Sequence, residues 1–177
     1  MAWNPALKRI AKGASFAGLS FVLAVVLFHF ILQPFQVAGL SMTPTLEDRD
    51  YLLVDRLFFR GAGLERGDLV VFKLDGDSRF MVKRVLGLPG EEVSAHDGVL
   101  RVGQTPVSNP VNGHSRIPDF GPVQVPPSSY FLMGDNAVES LDSRAFGSVA
   151  RSNIYGRSFF RYLPLERSGS LRGGAWR

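Results

Sequence analysis

Ser41, in Ser41-Met42-Thr43-Pro44-Thr45-Leu46, and Lys83, in Phe80-Met81-Val82-Lys83, are the two side chains best placed to do chemistry together. A serine hydroxyl is a weak nucleophile until a base takes its proton, and a lysine serves as that base once burial lowers its pKa. Pro44 lacks an N–H and fixes φ, so Ser41–Leu46 reads as a turn that presents Ser41 at a strand end. The same serine could simply cap that turn. Lys83 lies between Val82 and Val85 in a strand fit for burial, where an unpaired lysine is rare. Alternation along the strand assigns Arg84 to solvent and leaves Lys83 on the face of Met81 and Val85. A lysine near pKa 10.4 is a poor base at neutral pH, and lowering it by ~3 units costs about 4 kcal/mol of differential solvation.

A third segment, Gly134-Asp135-Asn136 through Ser140, Asp142, Ser143 and Arg144 to Gly147, follows the apolar run Tyr130–Met133. Taken alone it is a hydrogen-bonded polar loop. Beside a buried lysine, a hydroxyl such as Ser140 could orient the amine, as the third member of a triad orients a base. The histidines, His29, His96 and His114, fall in an apolar span, a hairpin turn and a proline-rich loop. None has metal-ligand spacing, so a zinc site is not expected. Lys83 ranks above all three as base. Phosphate-binding glycine motifs are absent, because Gly61-Ala62-Gly63 lacks a strand–turn–helix context.

The elements that must position these groups begin with an anchor. No Asp, Glu, Lys or Arg occurs between Lys12 and Glu47, and Ala14–Leu32 is almost wholly apolar. About 20 helical residues span a bilayer core of roughly 30 Å. A cleavable leader is the rival, but its apolar region runs only about 7–15 residues. Lys8, Arg9 and Lys12 precede the span without an acidic neighbour, whereas Glu47, Asp48, Asp50 and Asp55 follow it. The positive-inside rule then puts residues 1–12 in the cytoplasm, residues 13–33 in the membrane and the remainder outside. A net charge of +4 without an aromatic-interleaved basic stripe points to anionic lipid rather than nucleic acid. Zero cysteines exclude disulfides and thiolate chemistry.

Beyond the anchor the pattern is β. Tyr51–Val54, Leu69–Phe72, Phe80–Val82 and Tyr130–Met133 are short β-rich runs bounded by Gly, Asp and Pro. Asp97-Gly98 predicts a tight hairpin joining Glu91–Ala95 to Val99–Val102. The expected architecture is an all-β catalytic domain over residues 34–165, antiparallel and partly open like a barrel, with a small inserted lobe at 91–128. Thr105–Pro127 holds six of the eleven prolines and reads as a loop or flap. Residues 166–177 read as a basic flexible tail.

Four boxes in order give this chain a resemblance to bacterial type I signal peptidases. They are Gly39–Leu46, Arg66–Phe72, Lys83-Arg84-Val85 with Gly87 and Pro89-Gly90, and Gly134-Asp135-Asn136 with Ser140 to Gly147. The resemblance implies Ser41 as nucleophile, Lys83 as general base and an acyl-enzyme. It also implies that Ser140 bonds the lysine and that Asp142 and Arg144 form an ion pair behind it. Secretory preproteins are the implied substrates, with Phe35, Val37, Leu46, Met81 and Val82 walling pockets for alanine-sized side chains. Gly39 stands where many Gram-negative relatives carry serine, so the Ser41 N–H is the expected main oxyanion donor. The implied setting is the bacterial plasma membrane, with a single-pass anchor, no cofactor and a monomeric enzyme. Self-cleaving repressors pair the same two residue types, but the anchor and the lack of a DNA-binding helix-turn-helix argue against them.

Overall fold

The computed structural model describes residues 5–107 and 117–171. The apolar run forms helix α1 (Pro5–Ile31), of which Lys12–Ile31 is long and apolar enough to cross a membrane, its most apolar stretch having no residue buried among the described residues. The helix stops at Ile31 rather than running through residue 33, and Leu32–Gln36 is strand β1. Pro34 explains the stop: its ring clashes with a preceding helical turn and biases Gln33 toward extended backbone.

Two antiparallel sheets follow. After β1 come β2 (Tyr51–Asp55), the one-turn helix α2 (Phe58–Ala62), β3 (Leu69–Phe72) and β4 (Met81–Gly87). A second sheet is contributed by β5 (Glu92–His96), β6 (Val99–Val102), β7 (Thr105–Pro106) and β8 (Phe120–Gln124). The chain returns to the first sheet with β9 (Ser129–Met133), passes through α3 (Ser143–Phe146), and ends in β10 (Val149–Ala150), β11 (Ile154–Leu163) and β12 (Gly169–Ser170). The first sheet has the order β1-β2-β11-β3-β4-β9-β10, with β12 on β11, and the second β7-β6-β5-β8.

The two-residue strand period divides the interior. Val70, Phe72, Val85, Tyr130 and Leu132 meet in one cluster, while Leu86, Phe131 and Met133 join Val93, Ala95 and Leu100 of the second sheet. A third cluster, Val37, Met42, Leu46, Leu52 and Leu69, ties the Ser41 turn to the sheet. Large-to-small changes at such sites cost about 2–5 kcal/mol.

Several expectations are corrected. Arg84 does not face water; it is as buried as Lys83, because both faces of β4 are covered. Thr105–Pro127 is not all loop. Thr105–Pro106 and Phe120–Gln124 are strands, and Val107, Ile117 and Val125 are core residues. Pro106 and Pro122 fit because β7 and β8 are the edges of their sheet, where a missing N–H breaks no ladder. The expected tail begins too early: Leu165–Arg167 is a short 3-10 turn, Gly169–Ser170 pairs with β11, and Arg167 bonds Asp50. The long strand β11 was not among the expected strands, because Gly156, Arg157 and Ser158 interrupt its apolar and aromatic residues. Its Gly156 lies so close to the Asp55 carbonyl and Val54 that a side chain would not fit, and Arg157 faces Asp55 and Asp68.

Candidate active site

The Ser41 turn is built from its own backbone and held from outside. Thr43 N–H donates to the Leu40 carbonyl at 3.1 Å, Leu46 N–H to Met42 at 2.9 Å, and the buried Met42 and Leu46 root the turn in the core. Gly39, just upstream, has φ +91°, a region that favours glycine. Across the cleft Asn136 closes a clamp. Its N–H donates to the Ser41 carbonyl at 3.1 Å and its side-chain amide to Thr43 Oγ1 at 3.2 Å.

Lys83 comes from β4, where pairing with Val70 of β3 sets it beside an apolar neighbour and between Met81 and Val85. It is 4% exposed, and its Nζ lies 2.6 Å from Ser41 Oγ. Burial pushes the ammonium down from its ordinary 10.5 to about 8. The carboxylates of Asp142 and Asp135 pull upward and Arg144 pushes down, but desolvation outweighs them. A substantial fraction of the amine is therefore neutral just above neutral pH, which a proton acceptor requires.

The polar loop packs behind the lysine. Asp142 is fully buried; it caps α3, accepts from Gly134 N–H at 3.1 Å, and takes Arg144 Nε and Nη2 at 2.8 Å each. Arg144 also donates to the Ala137 carbonyl at 2.7 Å, so one ion pair cross-braces the whole loop. Ser140 Oγ is buried beside Gly134 but has no hydrogen-bond partner among the described residues, and the expected bond to Lys83 is not formed. Gly134 is required by space: a Cβ would overlap both Ser140 Oγ and the Ser41 carbonyl.

Of the expected pocket residues, Val37 and Leu46 are core, whereas Phe35, Met81 and Val82 are half-buried. Phe35 packs edge-on against Phe80 and Tyr155, with ring centres 5.0 and 5.4 Å apart. His96 is 77% exposed between Asp97 and Asp119, and His29 lies on α1, so neither meets Ser41. His114 lies outside the described residues. His96, Asp97 and Asp119 form one exposed trio close enough to offer ligands to a metal ion, away from the dyad.

Two contributors escaped the sequence reading. Arg84 reaches Asp135 through two bonds of 2.7 and 2.5 Å, and donates to the Gly67 carbonyl at 2.7 Å. This buried fork ties β4 to the turn that carries Asn136. The Gly-Asp-Asn turn was visible as a motif, but a partner 51 residues away leaves no local signal. Asn136 is the second, and only the fold brings it to Ser41.

Ser41 Oγ and Lys83 Nζ thus stand in hydrogen-bond contact inside the fold, and the chain is similar in sequence to known proteins. The profile of the family described as "Signal peptidase, peptidase S26" matches residues 10–163. Signal peptidase I T of Bacillus subtilis is 37% identical over 159 residues, covering 84% of this chain and 82% of that one. A signal peptidase I of Leptolyngbya laminosa is 36% identical over 172 residues, covering 92% of this chain and 84% of its own. The crystal structure of a signal peptidase I from Enterococcus faecalis V583 aligns at a TM-score of 0.48 and 28% identity, over 53% of this chain and 95% of that one. On the extent of the profile match and the identity to these relatives, the chain belongs to the signal peptidase family, peptidase S26, a family of serine peptidases.

Proposed function

We propose that this chain removes signal peptides from secretory preproteins, with Ser41 as nucleophile and Lys83 as general base. The observation that carries the reading is the 2.6 Å separation of a buried Lys83 Nζ and Ser41 Oγ. The neutral amine accepts the hydroxyl proton as Oγ attacks the scissile carbonyl, and returns it to the departing amine of the mature protein. The signal peptide is left as an ester on Ser41, and a water deprotonated by Lys83 then hydrolyses it. The Ser41 N–H makes no hydrogen bond among the described residues, which suits it to receive the oxyanion. Ser140 Oγ, buried without a partner, is suited to hold the amine during the reaction. Asp142 and Arg144 keep that hydroxyl in place.

Strand addition accounts for substrate binding. The β4–β9 ladder begins at Arg84, so Met81–Lys83 pairs only with β3 on one side. β1 is a sheet edge, continued by Val37, whose N–H bonds the Asp50 carbonyl. An extended peptide fits between these edges, sending alternate side chains toward Phe35, Val82 and the core floor at Val37 and Leu46. The anchor and the basic residues before it favour a catalytic domain outside a bacterial plasma membrane, facing translocated preproteins.

The test is cleavage of a purified preprotein by the full chain in detergent. Ser41→Ala and Lys83→Ala are each expected to lower turnover at least ~10³-fold, with the double variant little worse, because members of one catalytic unit are non-additive. Lys83→Arg should fail equally, since arginine stays protonated. Retained cleavage in Lys83→Ala, with loss in His96→Ala or His114→Ala, would replace the dyad with a histidine mechanism.

A further inference from the structure

Lys83 lies on a strand but Ser41 lies on a turn, so the 2.6 Å between them depends on what holds the turn. Its first limb is clamped by Asn136, and its middle is rooted in the core by Met42 and Leu46. The last limb, Thr45 to Asp50, is held by a C-terminal segment that no catalytic step uses. Among the described residues no backbone N–H reaches the Thr45 carbonyl. Arg161 supplies the donor instead, its Nη1 lying 2.7 Å from that oxygen across 116 positions of sequence.

The Arg161 side chain is largely buried and forks onto three acceptors. Besides Thr45, it reaches Asp50 Oδ2 through Nη1 at 3.2 Å and the Arg167 carbonyl through Nε at 2.5 Å. Asp50 is buried, and its Oδ2 also accepts from Glu47 N–H and from Arg167 Nη2, each at 2.9 Å. Arg167 pairs with Glu47 as well. One carboxylate thus gathers the end of the turn and both arginines. Strand pairing fixes the fork: Arg161 lies in β11 between Leu52 of β2 and Gly169 of β12. Leu171 N–H then donates to the Phe159 carbonyl at 2.9 Å, and its side chain packs on the Val37, Met42 and Leu46 cluster that carries the Ser41 turn. The same segment therefore supports the turn twice, by a polar fork and by apolar contact.

We propose that Arg161 is a positioning residue for Ser41, and that Leu165–Leu171 is the latch that locks Arg161 in place. Arg161 touches no reacting atom; it acts through the Thr45 carbonyl and Asp50. The proposal rests on the reading of Ser41 as nucleophile. Arginine is required because its planar fork presents Nε and Nη1 in fixed directions, whereas lysine offers a single point of charge. A turn released at Thr45 lets Oγ drift from Lys83, and a misplacement of about 1 Å costs roughly 10²-fold in rate. The β1 and β4 edges assigned to the peptide make no contact with the fork, so the loss falls on kcat rather than KM.

Arg161→Gln and Arg161→Lys are compared with the parent as full chains in detergent, with near-UV circular dichroism to establish the fold of each. Arg161→Lys keeps a cation for Asp50, so it carries the test if Arg161→Gln unfolds. Both are expected to lower kcat on a preprotein about 10²-fold, with KM within about twofold. Arg101→Gln, at an exposed arginine of the second sheet, should change neither. A second readout needs no cleavage. Ser41→Cys puts a single thiol into a chain without cysteine, and the Lys83 ammonium beside it lowers the pH midpoint of alkylation by iodoacetamide. A midpoint, unlike a rate, is independent of how open the thiol is. Adding Arg161→Lys should raise it toward the ordinary thiol value of about 8.5. A folded Arg161→Lys with parental kcat, a loss confined to KM, or a lower kcat with an unmoved thiol midpoint each overturns the proposal. A lower Tm with kcat and midpoint unchanged makes Arg161 merely structural and overturns it too. A parent chain that leaves preproteins uncut overturns the proposed function instead, and the thiol midpoint then decides the latch by itself.

Discussion

Replacing Lys83 by methionine should abolish cleavage and make the protein more stable at neutral pH. Methionine keeps the length and apolar stem of lysine while removing the charge. In the folded chain the Lys83 pKa is about 8 against 10.5 in its ordinary state, so folding penalises the protonated amine by roughly 3 kcal/mol at about 1.4 kcal/mol per unit. The folded value is the depressed one, so its contribution is most favourable above 10.5, declines as pH falls toward 8, and is a constant penalty below that. Methionine also forfeits the 2.6 Å hydrogen bond to Ser41, worth about 1 kcal/mol. The net gain at pH 7 is about 2 kcal/mol, or a rise in Tm of ~4–8 °C for a chain of this size. Thermal unfolding of the full chain in detergent, followed by near-UV circular dichroism at pH 7 and near pH 10.5, measures both ends of the window. The gap between variant and wild type should close as pH rises. An unchanged or lower Tm at pH 7, or a gap indifferent to pH, would refute the view that Lys83 is held as a strained, desolvated base.

The remaining expectations concern the same site. The limb of kcat/KM governed by the base should rise with pH through about 8 and fall tenfold per unit below it, because only the neutral amine accepts a proton; a limb near 10.5 would contradict the burial argument. Asp142→Asn removes a charge that raises the Lys83 pKa, so that limb should move lower. The same change leaves Arg144 buried without its partner, at a cost of about 3–5 kcal/mol in denaturant unfolding. Gly134→Ala should lower kcat by as much as ~10²-fold while secondary structure in far-UV circular dichroism persists, since its methyl group displaces Ser140 and the Ser41 turn together. Wild-type turnover in that variant would show that the contact is not needed.

Much of the chemistry was legible in the chain itself. Pro44 marks Ser41–Leu46 as a turn, the uncharged run before it marks a helix, and Leu69–Phe72 and Val99–Val102 have the bounds that their composition predicts. A lysine among Met81, Val82 and Val85 was readable as buried because a charge in an apolar strand is locally anomalous. Such signals need only neighbours in sequence. Arg84 had no signal of this kind, since alternation assigned it to solvent and only the fold supplied Asp135 as a partner inside. Strand β11 was missed because Gly156, Arg157 and Ser158 break its apolar run, and only the fold matches Gly156 and Arg157 to the strand and turn that carry Asp55 and Asp68. The prolines at 106 and 122 suggested loop until the sheet order made their strands edges. The chain alone thus determined which residue types could react and which elements carry them. Tertiary structure decided the 2.6 Å meeting of Ser41 and Lys83, the clamp of Asn136 and the lowered lysine pKa. Those depend on desolvation and on contacts between segments far apart in sequence, and neither exists until the sheets pack.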